Sequence, residues 1–163
     1  MEKDFTHIVD DRAHMVDISQ KDIVVRRAVA SGRIVLSSDT LEKIRKGAVE
    51  KGNVLATART AAILAVKKTP ELVPMCHQIP ISGIDVNFEM GEADVTAVVE
   101  VKSQGRTGVE MEALTGVSVA LLTVWDMVKS AEKDETGNYP VTRMEDIKVL
   151  EKIKEDAVQT QCI

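Results

Sequence analysis

The sequence feature that most restricts the fold is the long apolar run between Gly105 and Lys133, which predicts a single long helix. Its few polar residues do not scatter around the helix. At 100° per residue they share an arc of roughly 140°, and they are Glu112, Thr115, Ser118, Thr123, Asp126, Lys129 and Ser130. A helix this apolar is expected to be largely buried, and buried charges are normally paired or used in chemistry. Asp126 and Lys129 are therefore expected to form either a structural ion pair or an acid/base pair with shifted pKa values.

The two carboxylates of this polar stripe lie far apart along the helix. Glu112 and Asp126 are separated by roughly 21 Å of continuous helix, so one small ligand cannot easily contact both from the same chain. Either the stripe makes two separate polar contacts, or an antiparallel helix of a second copy brings Glu112 of one subunit beside Asp126 of the other. The second arrangement predicts a two-fold dimer with a composite site.

The composition argues against several classes of protein. The 163 residues suffice for one domain, and the net charge of −5 comes from well-mixed charges without an electrostatic footprint for duplex nucleic acid. One Trp, one Tyr and two Phe are too few for the stacking surfaces of a single-strand binder. The first residues lack the apolar core of a signal peptide, and no apolar run reaches about 18 residues without a polar break. These features predict a soluble, cytoplasmic protein with neither a nucleic-acid nor a membrane partner.

Alternating apolar and polar residues predict the strands of the chain. Residues 22–36 are rich in Val and Ile and predict one or two strands, with Gly32 as an interruption. Residues 83–90 and 93–102 alternate on either side of a short turn and predict a hairpin. Residues 141–152 predict a final strand.

Helix-start signals place two helices before the hairpin. Asp39 and Glu42 form a capping-box-like pair, and Asn53 can cap an Ala-rich helix that ends before Pro70. The order of elements predicts an α+β protein with a ferredoxin-like antiparallel sheet covered by helices. The predicted organisation is a flexible N-terminal arm at 1–20, one α+β domain at 21–152 and a polar tail at 153–163.

Two further segments contain residues that are suited to catalysis or ligand binding. Met75, Cys76 and His77 lie in a loop bounded by prolines, where rigid scaffolds often present binding groups. Zinc is not favoured because the three His and two Cys of the chain lack ligand spacing, and we interpret Cys76 as a small buried hydrophobe. Lys51 and Gly52 precede a helix, where a cation and free N–H groups suit an anion, although this signal alone is weak.

Two segments of the chain read KGNVLATARTAAILAVKKTPELVPMCHQIP at 51–80 and GRTGVEMEALTGVSVALLTVWDMVK at 105–129. Together they resemble the cyclic pyranopterin monophosphate synthase (MoaC) family of molybdenum cofactor biosynthesis. THIVDDRAHMVDISQK at 6–21 is similar to the opening of the same family, and the resemblance extends to Lys152.

This resemblance implies an activity and an assembly. It implies conversion of (8S)-3′,8-cyclo-7,8-dihydroguanosine 5′-triphosphate to cyclic pyranopterin monophosphate, with release of pyrophosphate. It also implies a homohexamer built as a trimer of dimers, with each active site at a dimer interface. No redox cofactor is implied, and a magnesium ion on the triphosphate is compatible with the reaction without being signalled by a ligand motif.

Residue roles follow from the resemblance position by position. The catalytic residues implied are Asp126, Lys129, Lys51 and His77. The substrate-binding residues implied are Met75, Cys76, Glu110, Met111, Glu112, Arg26, Lys67 and Lys152. These residue types suit the chemistry, because ring rearrangement needs groups that give and accept protons, and loss of pyrophosphate needs cations. Asp126 and Lys129, if partly buried, would have pKa values tuned towards neutrality.

Two departures from the family pattern bear on the site. The family usually continues after the last strand with Lys-Ser-Gly-Gly-Lys-Ser-Gly, whereas this chain reads KIKEDAVQTQCI from Lys152, with Lys154 as a partial substitute at best. Asn53 stands where an Asp is common. Two alternatives to an enzyme stay open at this point: a non-catalytic ferredoxin-like module that binds a purine nucleotide, and a purely structural oligomer.

Overall fold

The computed structural model describes residues 8–9 and 12–155 and consists of an antiparallel sheet with helices packed on it. The strands are β1 (Ile8–Val9), β2 (Arg12–Ala13), β3 (Val24–Val35), β4 (Ile81–Met90), β5 (Asp94–Gly105) and β6 (Arg143–Glu155). The helices are α1 (Ser38–Arg45), α2 (Val54–Lys67), α3 (Thr69–Leu72) and α4 (Glu110–Glu132).

The main sheet has the strand order β4-β5-β3-β6, and all neighbouring strands are antiparallel. From β3 onwards the chain alternates one strand, helices, two strands, one helix and one strand, which is the ferredoxin-like order. β1 and β2 form a separate two-stranded pair. The predicted α+β fold class, with helices covering an antiparallel sheet, is confirmed.

The hydrophobic core lies between one face of this sheet and the helices. α4 packs on β3 and β5, and α2 packs along α4. Alternate residues of β5 and the inner face of α4 are fully buried there, among them Val95, Ala97, Val99, Val101, Val117, Leu121 and Val124. Complete burial of one Leu or Val side chain stabilises a fold by about 1.5–3 kcal/mol, so this layer fixes the position of α4.

The other face of the sheet carries cross-strand ion pairs. Arg27 on β3 donates from Nε to Glu100 on β5 at 2.7 Å and also pairs with Glu151 on β6. Arg33, farther along β3, pairs with Asp94 at 3.1 Å and Glu145 at 2.7 Å. Alternation along β3 then directs Arg26 to the helix-covered face, towards α4.

Gly32 does not interrupt a strand, because β3 continues through it. A Cβ at this position would lie 2.8 Å from Cγ1 of Ile147 and 2.9 Å from Cγ1 of Val117. The absence of a side chain at Gly32 therefore lets β6 and α4 approach β3 closely.

Three predicted element boundaries are wrong. The long helix begins at Glu110, because Gly105 is still paired in β5 with Val24. Ser37, rather than Asp39, caps α1, since its hydroxyl accepts from the N–H of Thr40. The last strand continues beyond residue 152 to Glu155, because its pairing with β3 extends that far.

The two terminal segments are only partly described. Of the predicted arm at 1–20, residues 1–7 and 10–11 lie outside the described residues, as do residues 156–163 of the predicted tail. α4 is long and apolar enough to cross a membrane by length and composition, but half of its most apolar window is buried inside the protein. A core helix of a globular domain has the same properties, so α4 is weak evidence for a membrane span.

Candidate active site

A carboxylate held between two lysines lies near the end of α4. Lys129 Nζ is 2.8 Å from Oδ1 of Asp126, one helical turn earlier, and Lys51 Nζ is 3.0 Å from Oδ2. Lys51 also donates to the backbone carbonyl of Asp126 at 2.7 Å. Lys51 reaches α4 from the loop before α2, whose N-terminus is capped by the side chain of Asn53. Each oxygen of one carboxylate therefore contacts a different ammonium group.

The expectation that this pair is partly buried is wrong for the single chain. The Asp126 side chain is 57% exposed, and those of Lys51 and Lys129 are almost as exposed. Lys129 and then Lys51 lower the pKa of Asp126 through hydrogen bonds and charge, and Asp126 raises the pKa of Lys129. Both shifts favour the charged forms, which is the opposite of tuning towards neutrality. The physical reason is that no other element of the described chain covers this face of α4.

A cavity of ≈ 260 Å³ lies at the other end of α4. Its walls come from the loop before β4, the first turn of α4, the loop before α4 and the N-terminal segment. The lining residues are Val16, Ile18, Lys21, Met75, Cys76, His77, Ile79, Thr107, Gly108, Met111 and Glu112. Five residues that the sequence proposed for the site thus share this cavity: Met75, Cys76, His77, Met111 and Glu112.

Glu112 is the buried acid of this cavity. Only 2% of the residue is exposed, and burial raises its pKa, with the neighbouring charge of Glu110 adding to the shift. Glu112 also lines a second cavity of ≈ 190 Å³, which contains Lys67. Burial and the charge of Glu112 together raise the pKa of the Cys76 thiol. Cys76 is therefore a protonated thiol at neutral pH rather than a nucleophile, in keeping with its interpretation as a small hydrophobe.

His77 is held by the backbone of the N-terminal segment. Its Nε2 lies 2.8 Å from the carbonyl oxygen of Val16. A carbonyl oxygen only accepts hydrogen bonds, so Nε2 carries the proton in this contact. In the neutral ring Nδ1 is then a hydrogen-bond acceptor.

Cations surround the start of α4. Lys152 on β6 pairs with Glu110, whose carboxylate folds back over Gly108 into space that a Cβ would occupy. Arg26 donates from one terminal nitrogen to the carbonyl of Arg106 at 3.5 Å. Its Nε is buried without a hydrogen-bond partner among the described residues. Arg26 therefore retains donor capacity beside the first turn of α4.

The proposed site residues form two groups within one chain. Lys51, Asp126 and Lys129 form one, which we call the lysine-aspartate cluster. The other, which we call the His77 half-site, holds the remaining residues around the first turn of α4. Roughly 21 Å of helix separates Glu112 from Asp126, so one chain does not bring His77 and Lys51 together, although the resemblance implies that both serve one site.

Sequence reasoning missed the wall formed by the N-terminal segment. Val16, Ile18 and Lys21 line the cavity, yet the arm shows no period that would predict where it packs. Among the described residues, no group of three or more His, Cys, Asp or Glu is close enough to hold a metal ion.

Large apolar side chains lie exposed on α4, one turn before Asp126, and on β6. Leu122 on the outer face of α4 is 58% exposed, and Ile147, Val149 and Leu150 on β6 are also exposed. β6 is an edge strand, with β3 as its one partner within the described chain. Exposed apolar side chains on an edge strand are typical of protein interfaces.

Comparison with known proteins gives one consistent result. The profile of the MoaC family matches residues 15–155. A protein of Methanococcoides burtonii, named probable cyclic pyranopterin monophosphate synthase, is 74% identical over 153 residues, which are 94% of this chain and 96% of the relative. Relatives with the same name are 73% identical in Methanosarcina acetivorans and 59% identical in Pyrococcus abyssi, each over 154 residues. Those two alignments cover 94% of this chain and 98% and 97% of the relatives, respectively.

Proposed function

The chain belongs to the MoaC family, and on this basis we propose that it is a cyclic pyranopterin monophosphate synthase, a lyase of molybdenum cofactor biosynthesis. Its substrate would be (8S)-3′,8-cyclo-7,8-dihydroguanosine 5′-triphosphate. The guanine-derived ring opens and recloses by proton transfers, and a ribose hydroxyl displaces pyrophosphate from the α-phosphorus to leave a cyclic monophosphate. The observation that carries the residue roles is the Asp126 carboxylate held between Lys51 and Lys129.

The lysine-aspartate cluster supplies proton transfer in this proposal. Asp126 and Lys129 are both charged at neutral pH, since the lowered pKa of Asp126 and the raised pKa of Lys129 both favour the charged forms. Asp126 therefore accepts a proton from the substrate, and Lys51 or Lys129 donates one. A second subunit that covered the cluster would destabilise the charged forms of Asp126 and Lys129, and would thereby bring their pKa values closer together.

The His77 half-site binds the substrate in this proposal. Glu112 offers the substrate a buried carboxyl group, whose pKa is raised by burial and by the charge of Glu110. Lys67, Arg26 and Lys152 lie around the same end of α4 and would hold the phosphates. Arg26 has an unpartnered Nε within the described chain, and Lys152 would exchange Glu110 for a phosphate oxygen.

We further propose that two copies of the chain complete each site. The distance between the two groups and the exposed apolar surface of α4 and β6 both support a two-fold dimer. In that dimer the lysine-aspartate cluster of one subunit faces the His77 half-site of the other, and three dimers form the hexamer. A soluble assembly acting on a small nucleotide-derived substrate suits a cytoplasmic location.

One assay tests the activity. The purified protein is incubated with the cyclo-dihydro-nucleotide, and the oxidisable pterin and the pyrophosphate are measured. Equal amounts of the two products from the wild type, and neither from Asp126→Ala, are expected. A wild type without turnover would overturn the enzymatic proposal, and turnover by Asp126→Ala would overturn the role of that residue.

Mixed oligomers test the composite site. Asp126→Ala and His77→Ala are each expected to be inactive alone. When they are coexpressed at equal levels, random dimers regain about a quarter of the wild-type sites, because half are heterodimers with one intact site each. The matched control coexpresses Asp126→Ala with Lys129→Ala, which alter the same cluster and restore nothing. No recovery in the first mixture would refute the shared site.

A further inference from the structure

We propose, on the basis of the proposed function, that Lys21 is a further substrate-contacting residue of the His77 half-site. Residues 16–21, which we call the strap, carry it to the cavity. Lys21 lines the same ≈ 260 Å³ cavity as His77 and Glu112. Lys21 thereby adds a cation to the wall of the cavity that is formed by the strap rather than by the α+β core.

The strap is seated on the half-site by polar and apolar contacts. The carbonyl of Val16 accepts the 2.8 Å hydrogen bond from His77, and Val16 is half-buried. Ile18 lines the main cavity and also a neighbouring one of ≈ 260 Å³ beside Ile79 and Thr107. The strap is therefore attached to the half-site at two positions before Lys21, Val16 and Ile18.

Local hydrogen bonds give the strap a defined shape. The N–H of Ser19 donates to the Asp17 carboxylate at 2.8 Å, and the N–H of Lys21 donates to the carbonyl of Ile18 at 3.1 Å. These bonds turn the chain between Ile18 and Lys21, so that Ile18 and Lys21 line one cavity. The same turn fixes the point from which the lysine side chain leaves the backbone.

The charge balance of the cavity indicates what Lys21 contacts. Among the described lining residues Lys21 is the only Lys or Arg, and Glu112 is the only carboxylate. Lys51 and Lys129 pair with Asp126, and Lys152 pairs with Glu110. Lys21 has no ion pair within the described chain, so its ammonium group is available to an anionic or carbonyl oxygen of the substrate.

Binding measured without turnover gives the primary test. In the Asp126→Asn background, which leaves the cyclo-dihydro-nucleotide intact, calorimetry measures Kd with and without Lys21→Ala. Loss of a charge-assisted contact is expected to weaken binding about tenfold or more, and Lys21→Arg is expected to restore most of the affinity. Unchanged Kd in Lys21→Ala would overturn the proposal, whatever the outcome of the turnover assay.

Kinetic and stability measurements distinguish a substrate-contacting role of Lys21 from a structural one. In the otherwise wild-type chain, Lys21→Ala is expected to raise KM about tenfold or more with little change in melting temperature. Ile18→Ser, which loosens the strap, should raise KM in the same direction. The matched control is Lys46→Ala, which removes an exposed lysine at the C-terminal cap of α1 that pairs with Glu42, and it should keep the wild-type KM. A lower melting temperature with an unchanged KM would reduce Lys21 to a structural role.

Discussion

Glu132, in the last turn of α4, is predicted to be a main contributor to the stability of this fold. The residue is 6% exposed, and its carboxylate lies among donors from two other elements. It accepts from the hydroxyl of Ser37 at 2.7 Å, from the backbone N–H of Ser37 at 3.2 Å and from the hydroxyl of Thr142 at 2.5 Å. One side chain therefore ties the end of α4 to the cap of α1 and to the segment that leads into β6.

The size of the effect follows from the donors that would lose their acceptor. Glu132→Ala leaves the N–H of Ser37 and the hydroxyl of Thr142 without an acceptor, whereas the Ser37 hydroxyl keeps Oγ1 of Thr40 at 3.0 Å. At about 1–3 kcal/mol for each lost acceptor, the free energy of unfolding should fall by about 2–6 kcal/mol. At about 2–4 °C per kcal/mol for a domain of this size, the melting temperature should fall by about 10 °C. Glu135→Ala, a matched change in the exposed loop after α4, should stay within about 0.5 kcal/mol.

The pH dependence of Glu132→Gln checks the origin of this stability. Burial raises the pKa of Glu132, but hydrogen bonds from Thr142, Thr40 and Ser37 together outweigh burial and lower the pKa below its usual value. A carboxyl with a lower pKa in the folded state stabilises the fold above its unfolded pKa, and this contribution is lost as the pH falls through the folded pKa.

The difference in free energy of unfolding between the wild type and Glu132→Gln should therefore have its full value at pH 7. It should decrease progressively as the pH falls below about 4.3. Urea unfolding at pH 7, 5 and 3.5 measures it. A gap that is independent of pH, or a loss below about 1 kcal/mol in Glu132→Ala, would refute the reasoning.

Three further predictions concern the candidate site and its assembly. Because Lys51 helps to lower the pKa of Asp126, the acidic limb of the kcat/KM profile should move to higher pH in Lys51→Ala, and a pH–rate series checks this. Leu122→Asp places a charge on exposed apolar surface, so sedimentation should show dissociation towards the monomer, and an unchanged oligomer would contradict the proposed interface. Gly108→Ala displaces the flexible Glu110 carboxylate, so KM should change by several-fold while the melting temperature shifts by less than about 2 °C, and unchanged kinetics would show that this contact is dispensable.

The fold was predictable where local patterns decide the structure. Alternation along residues 93–102 predicts the strand, and its inner residues are the fully buried ones. Asn53 predicts a helix start and does cap α2. Gly32 was misread, because a glycine inside a strand can mark an interruption or a close approach, and only the packing of β6 and α4 distinguishes the two.

The candidate site was predictable in its residue types and in the pairs that lie close in sequence. Asp126 and Lys129 are one helical turn apart, so their 2.8 Å contact follows from helix geometry. Their exposure did not follow, because an apolar helix sequence does not say which of its faces the rest of the chain covers. Consequently the direction of their pKa shifts differs from the expectation based on burial.

The sequence by itself determined the class of fold, the presence of a long central helix and the residue types available for chemistry. Tertiary structure alone decided that Lys51 meets Asp126 across 75 residues, and that His77 meets the carbonyl of Val16 across 61. Periodicity and capping act within a few residues of the chain, so a sequence displays them directly. Contacts between distant segments depend on how whole elements pack against one another. The position of Val16, Ile18 and Lys21 in the wall of the His77 half-site is such a consequence of packing.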